Sequence, residues 1–320
     1  MKAKNNNFKI NYMTIKKPII WIALSSWSAR GISHIWVLEG LKEIGIEPDI
    51  VCWTSMWSIV WAAYVNNNLE KLKKTFSSLS RYQVLKFFNV WLSKSSIIDR
   101  EKFKQFFIES VCAEGQNIQD LPKKYWCVAT SFDTGKEVSF LKDNLLKSIF
   151  SSSALPWLFA PYYYNDEFFI DGGVVNPVPV SLCKKLWADI VIAVDLNSIL
   201  LAQKIEKLEK NHTLSNYFIK NNLLNKIKEK FNLNVSADNS IKYPSMMETS
   251  LKTIDIMQCR ITKHRFVDDA ADIILEPQVA QIWVLDFYKF KEAIDEWKKT
   301  VEKNKEKILK CIKNYKKESK

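Results

Sequence analysis

The chain has 320 residues, of which 47% are hydrophobic, and this composition predicts a globular protein with a substantial buried core. A formal net charge of +12 favours contact with polyanions such as anionic lipid surfaces or nucleic acid. The six cysteines include no C-x-x-C pair, which argues against a zinc site and a small disulfide framework. The sequence contains no run of about 18 apolar residues, so no transmembrane helix is predicted.

The first predicted element is a buried strand near the amino terminus. Residues 1–17 are rich in Lys and Asn, and we expect them to be poorly ordered. The apolar run Ile19–Leu24 is too short for a secretory signal, so we interpret it as a strand and expect a cytoplasmic protein. A loop of small residues, Ser25–Gly31, follows it, and apolar residues at helical spacing then continue to Gly45.

The same order of strand, loop and helix follows immediately. Ile50–Cys52 has strand character, and Ile59–Ala63 has the composition of a buried helix. Two consecutive units of this kind predict an α/β fold with a mainly parallel sheet and helices on both faces. Ligands of such folds bind beyond the carboxyl ends of the strands.

Ser55 occupies the junction between this second strand and its helix. In a strand-turn-helix elbow, the turn presents the serine hydroxyl above the sheet, and the first backbone N–H groups of the helix face the reacting carbonyl. The elbow here comprises Trp53, Thr54, Met56 and Trp57 around the serine. The usual pattern is G-x-S-x-G, and both glycine positions are occupied by tryptophan.

The central part of the chain predicts helices and then more strands. Residues 69–122 have helical periodicity. Tyr125–Thr130 is a predicted strand, and Glu137–Phe140 is its hairpin partner after a tight turn. Asp189–Asp195 is a further buried strand.

Asp171 ends another apolar strand and is followed by Gly172 and Gly173. A carboxylate can take the proton of a serine directly when it lies within hydrogen-bond reach. The histidines downstream of it, His212 and His264, lie in charged surroundings, which disfavours a Ser-Asp-His triad. We therefore predict a Ser55–Asp171 dyad.

The carboxyl-terminal part divides into three predicted segments. Residues 199–243 form a basic, partly helical insertion within a hydrolase domain that spans residues 18–288. Met246–Ile261 is a predicted helix, and Asp272–Leu275 a last short strand. Residues 289–320 form a basic helix with an apolar stripe.

Several stretches together resemble the patatin-like phospholipases, in particular their compact bacterial members. They follow the family's order over nearly the whole chain: Ala29-Arg30-Gly31, Thr54-Ser55-Met56, Asp133-Thr134-Gly135, Ser153-Ala154-Leu155-Pro156 and Asp171-Gly172-Gly173-Val174-Val175-Asn176-Pro177. The resemblance implies a three-layer α/β/α sandwich and hydrolysis of lipid acyl esters through an acyl-enzyme, without a metal or cofactor. It implies Ser55 as nucleophile, Asp171 as base and an oxyanion loop composed of Ser26, Trp27, Ser28, Arg30 and Gly31.

Two functions remain open at this point. The first is a serine acyl hydrolase of the phospholipase or lysophospholipase type, which contacts an anionic membrane peripherally at the inner membrane surface. The second is a catalytically inactive patatin-like module that binds lipid or a partner protein, since Trp53 and Trp57 replace glycines of the elbow. Nucleic-acid binding is disfavoured because no nucleic-acid-binding motif accompanies the positive charge. The oligomeric state is not indicated.

The glycine and tryptophan counts suggest an explanation for the altered elbow. Glycine averages about 7% of residues, which is roughly 22 in a chain of this length. Only seven glycines are present, beside twelve tryptophans. Because several tryptophans occupy places where glycine is physically favoured, we hypothesise that the gene uses UGA, a codon that some bacterial lineages read as glycine, and that these positions are glycine in the native protein.

Overall fold

The computed structural model describes residues 17–26, 31, 34–55, 58–78, 100–156, 158–196, 244–279, 282 and 290–318. The predicted disordered segment up to residue 16 and the predicted insertion at 199–243 lie outside the described residues, as does the stretch 79–99 of the predicted helical region.

Within the described residues, eight strands form one sheet. They are β1 (Ile20–Leu24), β2 (Ile50–Thr54), β3 (Lys124–Ser131), β4 (Glu137–Phe140), β5 (Tyr162–Tyr164), β6 (Glu167–Asp171), β7 (Ile190–Val194) and β8 (Ile273–Leu275). The order across the sheet is β5-β6-β3-β2-β1-β7-β8, with β4 also paired to β3. The five strands from β3 to β8 in this order are parallel, whereas β4, β5 and β6 make antiparallel pairs.

Helices connect and cover these strands. They are α1 (His34–Glu43), α2 (Ser58–Val65), α3 (Leu69–Ser78), α4 (Arg100–Ser110), α5 (Leu145–Ser152), α6 (Val180–Lys185), α7 (Met246–Asp268) and α8 (Phe290–Glu318). The predicted helix at 246–261 is therefore longer than expected and continues to Asp268.

The sheet separates two apolar layers, as alternation along β1 illustrates. Ile20, Ile22 and Leu24 belong to the larger core with residues of α1, α2, α5 and α8. Trp21 and Ala23 belong to the smaller core on the opposite face, with residues of α6 and α7. Successive side chains of a strand point to opposite faces, so each face of the sheet is buried by helices. The predicted α/β/α sandwich with a mainly parallel sheet is confirmed.

The antiparallel strand β6 brings its last residue to the carboxyl edge of the parallel strands. Thr54 at the end of β2 pairs with Val128, whereas β3 continues beyond it to Ser131. Strand β6 runs back along this extension, and Asp171 pairs with Ala129. Asp171 therefore stops within one residue of the level at which β2 ends.

Aspartates close the opposite, amino edge of the sheet. The Asp49 carboxylate, just before β2, accepts the Ile20 N–H at 2.9 Å, and that of Asp189, just before β7, accepts the Ile19 N–H at 2.8 Å. Asp272, just before β8, accepts the Val191 N–H at 2.7 Å. Each acidic side chain thus satisfies a backbone donor at the start of the adjacent strand.

Helix α8 uses its apolar stripe to bury the larger core. Trp297, Val301 and Ile308 are almost fully buried, and Ile312 and Tyr315 pack partly against the same cluster. A Cβ atom added to Gly40 of α1 would lie 3.0 Å from the Val301 side chain, so α1 and α8 approach closely. The apolar face of this basic helix is therefore a structural face, directed toward the core.

Within the described part of the chain, four fully buried tryptophans of the core have an indole N–H with no acceptor. They are Trp21, Trp53, Trp61 and Trp297, each at most 1% exposed. Buried indole N–H groups usually find a partner, and an unsatisfied buried donor costs about 1–3 kcal/mol. Four such donors together are comparable with the net stability of a domain, about 5–15 kcal/mol. The four side chains fill the core but conflict with its hydrogen bonding.

Among the described residues, no helix is both long enough and apolar enough to cross a membrane.

Candidate active site

Ser55 forms a strained turn between β2 and α2. Its φ is +75°, in the region that side-chain-bearing residues rarely adopt. The side chain is only 2% exposed, and its hydroxyl donates a hydrogen bond to Oδ2 of Asp171. The described part of the elbow therefore has the geometry predicted for a nucleophile.

Asp171 is fully buried and is held at both carboxylate oxygens. While Oδ2 accepts from Ser55, Oδ1 accepts the Gly173 N–H at 2.7 Å. The backbone of Asp171 is fixed as well, because its N–H donates to the Ala154 carbonyl at 3.0 Å and its carbonyl accepts from the Thr130 hydroxyl at 2.9 Å. The carboxylate is thus oriented before any substrate binds.

The environment of Asp171 favours the neutral carboxylic acid. Burial raises its pKa from 3.8 to about 7, against the hydrogen bonds from Ser55 and the Gly173 N–H, which lower it. A carboxyl group with a pKa near neutrality can both accept and return a proton under physiological conditions. This is the property that a general base alternating with a general acid requires.

Two glycines after Asp171 allow the backbone to pass through a crowded place. A Cβ atom on Gly172 would lie 2.1 Å from the Val128 carbonyl oxygen. One on Gly173 would lie 2.4 Å from both the Gln258 side-chain nitrogen and the Ser26 hydroxyl. The Gly-Gly pair predicted to accompany the base is therefore a steric requirement at the junction of β6, β3 and α7.

The segment after these glycines is tied to the elbow and to α7. The Thr54 hydroxyl donates to the Asn176 carbonyl at 2.8 Å. The Asn176 side-chain amide donates to Glu137 and to the Ser181 hydroxyl, each at 3.1 Å. Arg265 of α7 pairs with the same Glu137 carboxylate at 3.3 Å. These contacts fix the residue immediately before Ser55 relative to the segment that carries Asp171.

The start of the predicted oxyanion loop is anchored by three interactions. The Ser26 N–H donates to the Pro177 carbonyl at 2.8 Å, and its hydroxyl donates to the Gln258 side-chain carbonyl at 3.0 Å. Nε2 of His34 donates to the Ser25 carbonyl at 3.2 Å. Burial lowers the pKa of His34 to about 3, so this imidazole is neutral. Ser26 therefore anchors the loop and does not have a free backbone donor.

The remaining predicted site residues are only partly described. Gly31 is buried at the start of the segment that leads into α1, and Trp53 is buried in β2. Trp27, Ser28, Arg30, Met56 and Trp57 lie outside the described residues. The structure thus describes the predicted dyad, the predicted base motif, and the parts of the predicted elbow and loop that precede residues 56 and 27.

The structure describes two of the three histidines, and neither is bonded to the Ser55 hydroxyl. His264 is exposed on α7, His34 is bound to the Ser25 carbonyl, and His212 lies outside the described residues. Among the described residues, the Ser55 hydroxyl has a carboxylate partner and no histidine partner. In the same part of the chain, no group of three His, Cys, Asp or Glu side chains could hold a metal ion.

Ser152 is a site residue that the sequence did not predict. Its hydroxyl accepts the Ser55 N–H at 2.9 Å and donates to the Val128 carbonyl at 2.6 Å. It thereby links the elbow to β3 from the end of α5. The segment from Ser148 to Pro156 is visibly rich in serine, but nothing in its sequence distinguishes Ser152 from Ser151 or Ser153.

A family model described as patatin-like phospholipase matches residues 23–184 of the chain, just over half its length. The chain belongs to the patatin-like phospholipase family. The matched range contains Ser55, Asp171 and the Gly-Gly pair. Family membership therefore agrees with the resemblance inferred from the motifs.

Curated relatives place this family among lipid hydrolases. An uncharacterized NTE family protein of Mycobacterium bovis is 31% identical over 180 residues, which are 56% of this chain and 49% of that protein. Lysophospholipase nte1 of Aspergillus fumigatus is 25% identical over 189 residues, 56% of this chain and 12% of that protein. The chain therefore spans about half the length of the mycobacterial relative and a small part of the fungal one.

Two further similarities extend the comparison. A patatin-like phospholipase domain-containing protein of Caenorhabditis elegans is 30% identical over 190 residues, covering 56% of this chain and 14% of that protein. The crystal structure of VipD from Legionella pneumophila aligns with 90% of this chain and 67% of its own, with a TM-score of 0.37 and 10% identity.

The hydrogen bond from Ser55 to Ser152 can be tested by substitution. Ser152→Ala should lower the free energy of unfolding by about 1–3 kcal/mol, because the buried Ser55 N–H loses its acceptor. Ser151→Ala is a matched control, since the Ser151 hydroxyl donates to the Lys147 carbonyl of α5 at 2.9 Å. We expect a smaller loss for the control in urea unfolding. Equal losses for the two variants would contradict a specific role in holding the elbow.

Proposed function

We propose that the chain is a serine acyl hydrolase that cleaves acyl esters of phospholipids or lysophospholipids. The observation that carries the proposal is the buried hydrogen bond from the Ser55 hydroxyl to the Asp171 carboxylate. A hydroxyl bonded to a base, at a strained turn between a strand and a helix, is the arrangement that activates a serine nucleophile. The lipid substrate class is supported by family membership and by the lysophospholipase among the relatives.

The proposed reaction begins with attack by Ser55 on the ester carbonyl while Asp171 accepts the hydroxyl proton. The tetrahedral intermediate collapses, the acyl group stays on the serine, and the leaving alcohol takes the proton from Asp171. Asp171 then removes a proton from water, which attacks the acyl-enzyme. The serine recovers the proton, and the free fatty acid is released.

Developing negative charge on the carbonyl oxygen needs backbone donors close to Ser55. The N–H of Ser26 already donates to the Pro177 carbonyl. We therefore assign the donor role to the loop residues that follow it, up to Gly31, with Arg30 as the fixed positive charge that orders this loop. The role of Ser26 in this proposal is to hold the loop against the segment that carries the base.

An inactive lipid- or protein-binding module is the second candidate, and Trp53 favours it. The Trp53 ring is buried edge-on against Trp61 and Tyr125, with centroid distances of 5.5 and 5.1 Å. This bulky side chain lies two residues before the proposed nucleophile, where the usual elbow has glycine. Detection of a reactive Ser55 distinguishes the two candidates.

A fluorophosphonate probe should label Ser55, because it reacts with activated serine hydroxyls. We expect Ser55→Ala to abolish labelling and to lower fatty-acid release from lysophosphatidylcholine by at least about 10³-fold. Ser153→Ala is the control, since that hydroxyl donates to the Ile149 carbonyl within its own helix end. Labelling that persists in Ser55→Ala would refute the nucleophile assignment. A folded protein from the native organism that is never labelled would favour the inactive module.

The raised pKa of Asp171 predicts a pH-dependent rate. A protonated carboxyl cannot accept the serine proton, so kcat/KM should rise about tenfold per pH unit below about pH 7 and level off above it. The comparison is a pH profile of the wild type with that of Asp171→Asn, which should have little turnover at any pH. A flat profile between pH 5 and 8 would argue against Asp171 as the base.

The raised pKa of Asp171 also predicts that stability falls as the pH rises, whereas kcat/KM increases. The folded protein holds this proton up to about pH 7, whereas the unfolded chain releases it near pH 3.9. Stability should therefore decline as the pH rises through this window, and Asp171→Asn should reduce that decline. This measurement requires no substrate, so it tests the titration separately from catalysis.

We further propose that exposed lysines of α8 attract the protein to anionic lipid at a cytoplasmic membrane surface. The apolar stripe of α8 is occupied by the core, so contact would be electrostatic and peripheral. The exposed lysines include Lys298, Lys299, Lys307 and Lys310.

Neutralising these lysines should weaken binding to anionic vesicles. Each lysine near such a surface contributes about 1 kcal/mol, and salt should reduce the binding. We therefore expect the combined variant Lys298→Gln, Lys299→Gln, Lys307→Gln and Lys310→Gln to bind less in vesicle sedimentation. The control is the double variant Glu302→Gln with Glu306→Gln, which removes negative charge from the same helix. It should bind anionic vesicles more strongly than the wild type. Unchanged binding in both variants would exclude this surface.

A further inference from the structure

Trp187 has a backbone conformation that favours glycine. Its φ is +69°, and it is the single aromatic residue among the six non-glycine residues with positive φ in the described part of the chain. It follows α6, where its N–H donates to the Lys184 carbonyl and the next N–H, of Ala188, donates to the Cys183 carbonyl. Helices commonly end in this way, with one residue in the left-handed conformation, where glycine has no steric penalty. The indole itself is 86% exposed.

The tryptophans with unpaired indoles lie in quite different surroundings. Trp21 and Trp53 are in strands on opposite faces of the sheet, and Trp61 and Trp297 are in helices. Among the described residues, each buries a donor without an acceptor, whereas the buried Ser55, Asp171 and Ser152 side chains are hydrogen-bonded. A specific role would have to be found separately for each tryptophan. One cause acting on the residue type explains them together.

The chain's own glycines mark positions with the same requirements. Gly45, Gly115 and Gly135 have positive φ, and Gly172 and Gly173 have no space for a Cβ atom. Only seven glycines are present where roughly 22 would be average, so we expect some positions with such requirements to be occupied by another residue type, as at Trp187.

We propose that the native protein contains glycine at its tryptophan positions, because the gene has UGA codons there that its own ribosomes read as glycine. Trp187 and the four tryptophans with unpaired indoles carry the inference, and Trp27 and Trp57 are included because they occupy the predicted loop and elbow. The abundance of Lys, Asn and Ile is consistent with an A/T-rich gene. For the elbow, the consequence is a complete G-x-S-x-G sequence around Ser55.

The decisive experiment reads the codons and weighs the native peptides. We expect UGA at these positions, and peptides from the native organism that are lighter than the printed sequence by the difference between a tryptophan and a glycine residue. UGG codons, or native peptides that retain tryptophan, would overturn the proposal. Neither measurement depends on the proposed function.

A recombinant comparison tests the consequence for folding. The chain with all twelve Trp→Gly substitutions should have a higher folded-to-unfolded ratio than the printed chain in urea unfolding, by at least about tenfold, because four buried unsatisfied donors and the positive φ of Trp187 are removed together. The control adds Tyr125→Gly to the twelvefold variant. Tyr125 is a buried aromatic neighbour of Trp53, and we expect its loss to lower the stability of the protein. A twelvefold variant that is less stable than the printed chain would contradict the inference.

Probe labelling of the same two chains then separates residue identity from activity. Strong labelling of Ser55 in the twelvefold variant, and weak labelling in the printed chain, supports an elbow that requires glycine. If the native peptides contain glycine but the variant is not labelled, the proposed hydrolase function fails and the inference about residue identity stands.

Discussion

The hydrogen bond between Ser55 and Asp171 is the constraint on which the rest of the site depends. It joins the end of a parallel strand to the end of an antiparallel one, within a region that excludes water. Such a contact requires both strand ends to stop at the same level. The extension of β3 and the steric demands of Gly172 enforce this level, since the chain leaves β6 in contact with the Val128 carbonyl. The topology of the sheet thus determines the geometry of the dyad.

Burial has two opposing effects on this pair. It removes the carboxylate from water, which favours protonation, but it also strengthens the hydrogen bonds that the Gly173 N–H and the serine offer to the anion. The balance of these effects leaves the pKa of Asp171 at about 7. A more exposed aspartate would be a weaker base, and one without these donors would stay protonated. The 3₁₀ turn Gly172–Val174, which follows Asp171, therefore influences the pKa of the proposed base through the Gly173 N–H.

The features predicted from sequence were those encoded locally. Apolar runs and helical spacing predicted the alternation of strands and helices. Because Ser55 and Asp171 each stand at the end of a predicted strand, they were candidates for a site at one edge of the sheet. Ser152 was missed because its partner Ser55 is 97 positions away, and the bond between Ser26 and Gln258 spans 232 positions. No local pattern indicates such pairings. Likewise, the lysine-rich composition of α8 indicated a surface helix but could not reveal that its stripe completes the core.

The position of Asp171, the proposed base, at the end of β6 has a consequence for how the protein would respond to heat. Ser55, the proposed nucleophile, follows β2 in the parallel centre of the sheet, where β2 has neighbours on both sides. Strand β6 belongs to an antiparallel edge bounded by the three-residue strand β5. Edges with few partners open at lower free energy than the centre of a sheet. Fluctuation of this edge would separate the proton acceptor from the serine while the parallel core stays folded. Loss of function on warming would then be local and reversible, and would precede the cooperative melting of the domain.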